Sequence, residues 1–332
     1  MTSTLAPARV PAWHRPLLVC SGLMAALVLA CGVGLAVDDR LLLGESVWYK
    51  PLKFALAFGL YAATLSWLLP RLVKGRRLAR WFGTVFAVTT VAEVGAVTAQ
   101  AARGTVSHFN ADRTDPVTLA LTPVLTFGVM VIVIAQLVIG IAVLVQRTGG
   151  PALDRAVRAG IGLAVVGMLI PVFWMVTEIN ERTVTDANGH AVPLYQGHGI
   201  GDPDGNGMPL THWSVTGGDF RVPHFFALHG IQVLLVLAAV VAALAARHAW
   251  LRSEQVQARL VGSAAFGYSG LVAVVTWQAG RGQSFAHPDA ATVAALAAVL
   301  VVTAAAVVRT VGVAKRAERV AQAPTRRMPV DF

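Results

Sequence analysis

The chain is poor in charge and nearly free of cysteine. Asp, Glu, Lys and Arg make up 13% of its 332 residues, against about a quarter in soluble proteins. So few charges cannot cover the surface of a soluble globule of this length. Two cysteines exclude a disulfide scaffold and a four-cysteine metal site. Cys20 and Cys31 lie in one apolar run. On a helix they share a face about 16 Å apart, too far to bridge, and read as small packing residues. There is no Walker A sequence, no GxGxxG after a strand, and no CxxC, HExxH or GxSxG. The common phosphate-loop, dinucleotide, thiol-redox, zinc-protease and serine-hydrolase signatures are therefore missing.

What is present is apolar. The hydrophobic fraction is 56% and mean hydropathy is +0.64. Charges fall in short clusters between runs of about 20 apolar residues, the length that crosses a bilayer core as helix. Strand-like alternation is absent, so helices must satisfy the backbone. The expectation is an all-α integral membrane protein with helices at about 17–37, 51–70, 80–102, 117–146, 156–178, 223–246, 258–279 and 290–311. Pro123 and Pro171 fall inside the fourth and fifth helices and are expected to kink them.

The net charge is +10, but its distribution argues against a nucleic-acid partner. The N-terminus, the 2–3, 4–5 and 6–7 connections and the C-terminal tail hold 19 of the 27 Lys and Arg residues. Basic loops face the cytoplasm, so both termini are expected there, in the cytoplasmic membrane of a bacterium. The basic tail, 316–332, is expected to be disordered and to lie against membrane lipids. "VLAC" at 28–31 loosely matches a lipoprotein signal, but the first helix is expected to belong to the fold.

The reason is an internal duplication. Pro51-Leu52-Lys53-Phe54-Ala55-Leu56 matches Pro223-His224-Phe225-Phe226-Ala227-Leu228 at the start of helices 2 and 6. Gln100-Ala101-Ala102-Arg103-Gly104 matches Gln278-Ala279-Gly280-Arg281-Gly282 at the end of helices 3 and 7. Two parallel four-helix halves follow, 1–150 and 151–315.

Seven of nine histidines lie on the non-cytoplasmic side. His224 and His229 stand where the first half has Leu52 and Ala57; His108 and His287 follow the two Gln residues at similar spacing. The second half is thus the expected cofactor side. His229, with Gln232 on the same helix face, is the leading ligand candidate, joined by His224 or His287. Glu93, at mid-helix, and Gln100, on its face, are candidate proton-transfer groups, because an ionisable group at that depth is costly unless it functions or is paired. Arg103 and Arg281 read equally as clamps for an anionic group and as helix C-terminal caps. Trp48, Tyr49, Trp213 and Trp277 suit the membrane interface.

The 5–6 connection, 179–222, is too long for a linker and reads as an ordered lid. Within it Asp202, Asp204, Asn206 and Gly207 match the first ligand positions of a calcium loop. Trp213 stands where the bidentate Glu belongs, so calcium is a weak expectation.

"GGDFRVPHFFALHG" at 217–230 and "RGTVSHFN" at 103–110 resemble polytopic bacterial membrane proteins with no assigned activity. That resemblance implies a multi-pass fold and no particular reaction. Haem A synthases are similar in topology alone, with eight helices in two halves; their glutamate–histidine helix motif is not found here. Alkaline-ceramidase-like hydrolases hold zinc with three histidines, and their His-x-x-x-His is missing.

Three functions follow. The first is redox chemistry on haem b or a transition metal, with quinone as partner. The second is a non-enzymatic transporter, sensor or assembly factor that binds a small anionic ligand. The third is a zinc hydrolase. The sequence leaves enzyme and non-enzyme open.

Overall fold

The computed structural model describes residues 12–177, 181–201 and 207–322. Among them are eight helices long and apolar enough to cross a membrane, consistent with a multi-pass membrane protein. They are α1 (Arg15–Val37), α2 (Tyr49–Leu68), α3 (Arg76–Ala102), α4 (Pro116–Leu144), α5 (Pro151–Thr177), α6 (Arg221–Ala245), α7 (Glu254–Gly280) and α8 (Ala290–Gln322). Pro123 and Pro171 lie inside α4 and α5, where each withholds one backbone donor.

Two boundaries differ from expectation by more than four residues. Helix α5 begins at Pro151 rather than near 156, because proline suits the first helical turn. Helix α8 runs to Gln322, so 316–322 is helical where disorder was expected. That stretch, Arg316-Ala317-Glu318-Arg319-Val320-Ala321-Gln322, is almost entirely strong helix formers.

In the first four helices, α1 packs on α2 and α3 on α4, and α3 also touches α1 and α2. The last four repeat this pattern: α5 on α6, α7 on α8, and α7 on α5 and α6. The halves meet through α4 with α5 and α2 with α6. One polar contact crosses the second junction, Gln232 Nε2 donating to Thr64 Oγ1 at 3.2 Å. The main core gathers Leu17, Leu65, Leu69, Phe86, Ile132 and Ile161, all nearly inaccessible. Helices α5 and α6 approach closely at Gly160, where an added Cβ would run into Ile231 Cα.

The 1–2, 3–4, 5–6 and 7–8 connections gather at one end, called the outer end after the charge pattern. Strands β1 (Leu41–Leu42) and β2 (Glu45–Ser46) form a hairpin whose turn residues, Leu43 and Gly44, both have positive φ. Within the 5–6 connection, β3 (Arg182–Thr185) pairs with β4 (Ala191–Leu194). β5 (Gly199–Ile200) pairs with β6 (Gly218–Asp219). The β3–β4 hairpin lies on the 3–4 connection. Ala187 N donates to Gly104 O at 2.9 Å, Ala111 N to Pro193 O at 2.8 Å and Asn188 Nδ2 to Arg103 O at 2.8 Å. Ser284 Oγ in the 7–8 connection donates to Ser214 O at 2.8 Å. The 5–6 connection thus covers parts of both halves.

Close approach at Gly160 gives a paired test. Gly160→Ala should destabilise by about 1–3 kcal/mol through overpacking. Gly162→Ala, two residues on with nothing within 4 Å of its new methyl group, should be neutral or stabilise by up to about 1 kcal/mol. Denaturant unfolding of the purified protein measures both.

Candidate functional site

Two of the sequence-selected residues, Gln100 and Arg103, form a latch at the outer end of α3. Gln100 is fully buried; its Nε2 donates to Thr118 Oγ1 at 2.9 Å and its Oε1 accepts from Arg103 Nη1 at 2.6 Å. Arg103 Nη2 reaches Asp115 Oδ2 at 2.7 Å, and Asp115 also caps α4 by accepting from Val117 and Thr118 N–H. The Thr118 hydroxyl first, then Arg103, hold the Asp115 carboxyl down at about 2. A similar latch closes the outer end of α7. Arg281 pairs with Asp289 at 2.8 Å and donates to Thr292 Oγ1 at 2.7 Å, while Gln278 Nε2 donates to Ser284 O at 2.7 Å. Both guanidinium groups therefore hold the aspartate that begins the next helix.

The second-half histidines are dispersed. His224 Nδ1 donates to Gly167 O on α5 at 2.7 Å. His229 lies against Phe225, with ring centroids 4.5 Å apart, and beside Gln232. His287 lies in the 7–8 connection, its backbone N–H on Ser284 O. No hydrogen bond or ion pair among the described residues joins His287 or Arg281 to either α6 histidine. Nor do the described residues include three or more His, Cys, Asp or Glu grouped to hold a metal ion. The calcium candidates Asp202, Asp204 and Asn206 lie outside the described residues.

The polar groups that do converge belong to the first half and the 5–6 connection. Glu93 on α3 is fully buried, and its Oε1 lies 3.0 Å from His108 Nε2. A carboxylate accepts, so Nε2 carries the hydrogen and Nδ1 turns its lone pair toward Ser107 Oγ, 3.4 Å away. Lys50, in the first turn of α2, is half-buried and lies in the field of Arg221, Glu45, Lys53 and Glu93. Among the described residues no carboxylate comes within 4.0 Å of its ammonium. Its neighbours are otherwise engaged: Lys53 pairs with Glu45 at 2.9 Å, and Arg221 with Asp219 at 2.6 Å. His198, just before β5, feels Arg221, Lys50 and His108.

Aromatic rings pack around this cluster. Phe54 packs on His108 at 5.7 Å, and Phe109 stands between the imidazoles, 6.3 Å from His108 and 5.0 Å from His198. Trp174 lies 6.1 Å from His198. Phe109 has φ of 67°, a left-handed conformation unusual for a bulky residue. It is held there by Tyr195 N–H on its carbonyl at 3.1 Å and by ring contacts to Tyr195, Trp174 and His198.

Sequence reasoning selected Glu93 and His108 but missed Lys50, His198, Arg221 and Asp219. A signal for Lys50 existed. Only 8 of the 27 basic residues fall on the outer side, and each needs a reason to defy the charge rule. His198 carries no such mark.

Both imidazole pKa values are lowered. Burial lowers the His108 pKa, Lys50 adds to this, and the hydrogen bond it donates to Glu93 opposes it. Burial, then Arg221 and Lys50, push His198 well below its ordinary 6.5. A depressed histidine contributes stability that is complete above the unfolded value and lost as pH falls through the folded one. Thermal stability should therefore drop below pH 6.5, by at most about 1.4 kcal/mol per pH unit for each such histidine. His198→Gln should flatten that dependence in a melting series over pH. Compared with known proteins, the chain matches no family model, no curated protein and no solved structure.

Proposed function

We propose that this multi-pass membrane protein binds a small anionic ligand in the outer recess, as a transporter or sensor would. Lys50 supplies the counter-charge, and the His198 imidazole supplies a hydrogen bond. One observation carries the reading: among the described residues a half-buried ammonium has no carboxylate at ion-pair distance, and the neighbouring cations have partners of their own. An ammonium surrounded by protein is costly without a partner, and an anion entering from the outer face removes that cost. A neutral His198 imidazole fits the same role, since its N–H can donate to an anion without adding charge.

A second reading has support at the same place. Imidazoles suit iron and other transition metals, and His108 and His198 flank one aromatic ring. A redox protein with haem b or a metal and a quinone partner would draw its ligands from this pair.

Titration of the purified protein with inorganic phosphate and small carboxylates, followed by melting temperature and calorimetry, separates the readings. At least one anion should stabilise the protein. Lys50→Gln should weaken its binding by about 10- to 100-fold, the worth of one charge-assisted hydrogen bond. No stabilisation by any anion, or equal binding by Lys50→Gln, would sink the anion reading. A haem absorption band lost in His198→Ala would establish the redox one.

A further inference from the structure

A groove of about 550 Å³ opens at the inner end of the bundle, where the two halves part. Helices α2 and α6 meet at Thr64 and Gln232. One turn further inward the groove begins at Leu235, and it follows α6 to Ala242, about 10 Å at 1.5 Å per residue. Alanines on α6 leave the space, because side chains this short do not fill the gap between packed helices. Ala239 and Ala242 are exposed, so the groove is open at its side. Its first-half wall carries Trp13 and Trp67, the residue type that favours the headgroup level of a bilayer.

The surroundings of this groove are lipid, in a chain whose eight helices suit a membrane. An apolar gap holds no water, and an empty one forfeits dispersion contacts along its lining. A hydrocarbon chain entering from the side restores them.

The mouth adds charge of both signs. Glu254, the first residue of α7, lines the groove. Among the described residues no cation comes within 4.0 Å of its carboxylate. Arg71, just past α2, lies over the Trp67 ring, 3.8 Å from its centroid, and donates to Trp67 O. It too has no counter-ion within 4.0 Å among the described residues. A ligand for this mouth therefore carries an apolar tail, an anion for the α2 side and a cation for the α7 side.

We infer that the groove binds an aminophospholipid of the inner leaflet. Its acyl chain lies along α6, its phosphate meets Arg71 and its ammonium meets Glu254. An anionic headgroup without an amine would meet Arg71 but be repelled by Glu254. A choline headgroup has no N–H to donate to the carboxylate, so it forfeits the charge-assisted hydrogen bond. The lipid touches α2 of one half and α6 and α7 of the other, so its binding strengthens the junction between halves. The site lies at the opposite end of the bundle from Lys50 and does not depend on an anion binding there.

Native mass spectrometry of the full-length protein tests this, with phosphatidylethanolamine, phosphatidylglycerol and phosphatidylcholine of matched chains titrated in turn. Phosphatidylethanolamine should bind most tightly. Glu254→Gln should weaken its binding by about 2- to 5-fold, the worth of an exposed ion pair, and bring it level with phosphatidylglycerol. Arg71→Gln should weaken both lipids alike, since both carry the phosphate. Ala242→Phe fills the groove and should remove the tight site. Ala243→Phe, equally exposed on α6 but off the groove, should leave it intact. If Ala242→Phe fails to fold, Ala239→Phe serves the same comparison. Equal binding of the three lipids by the wild type, or a preference retained in Glu254→Gln or in the groove-filling variant, overturns the proposal. So does a dimer that disappears in Ala242→Phe, which would make a second copy of the chain the occupant.

Discussion

The structure turns on the cost of placing charge and hydrogen-bonding groups where water is scarce. Most of the polar atoms that enter the bundle are matched by another from a neighbouring element. Asp115 and Asp289 hold arginines from the preceding helices, and Asp219 holds Arg221 and Ser214 N–H. Inner-end connections obey the same constraint: Gln146 accepts from Val73 and Lys74 N–H and donates to Lys74 O. Against this background the exceptions stand out. Among the described residues Lys50 has no carboxylate at ion-pair distance, and Glu93 Oε2 and Thr90 Oγ1 have no hydrogen-bond partner.

The two latches set the frame for those exceptions. Each arginine joins the end of one helix to the start of the next, which fixes the outer ends of α3 with α4 and of α7 with α8. The 3–4 connection leaves the first latch and carries His108 back over Glu93. Phe109 then turns through its left-handed conformation, which sets its ring against His198. A bulky residue in that conformation is strained unless its surroundings compel it. Here the β3–β4 hairpin does so by hydrogen bonding across the 3–4 connection.

Helix number and position were legible in the sequence because apolar length and charge clustering act locally. The extension of α8 was obscured because basic residues suggest a tail, although Ala, Glu, Lys and Arg are also strong helix formers. The site was only half legible. Glu93 announced itself as an acid at depth, and His108 followed from its spacing to Gln100. The histidine-rich start of α6 attracted attention by composition, yet His224 spends its Nδ1 hydrogen on an α5 carbonyl. Lys50 and His198 are far apart in sequence and come together only through the fold of the 5–6 connection, which no local pattern encodes.

Access to the recess is the central claim, and chemical modification at Lys50 tests it most directly. In a background with Cys20→Ala and Cys31→Ala, Lys50→Cys can be challenged with a membrane-impermeant thiol reagent. The account predicts modification in intact cells, where the reagent meets the outer face, and protection in inverted vesicles. A thiol at 50 that reacts only from the cytoplasmic face, or from neither, would contradict it.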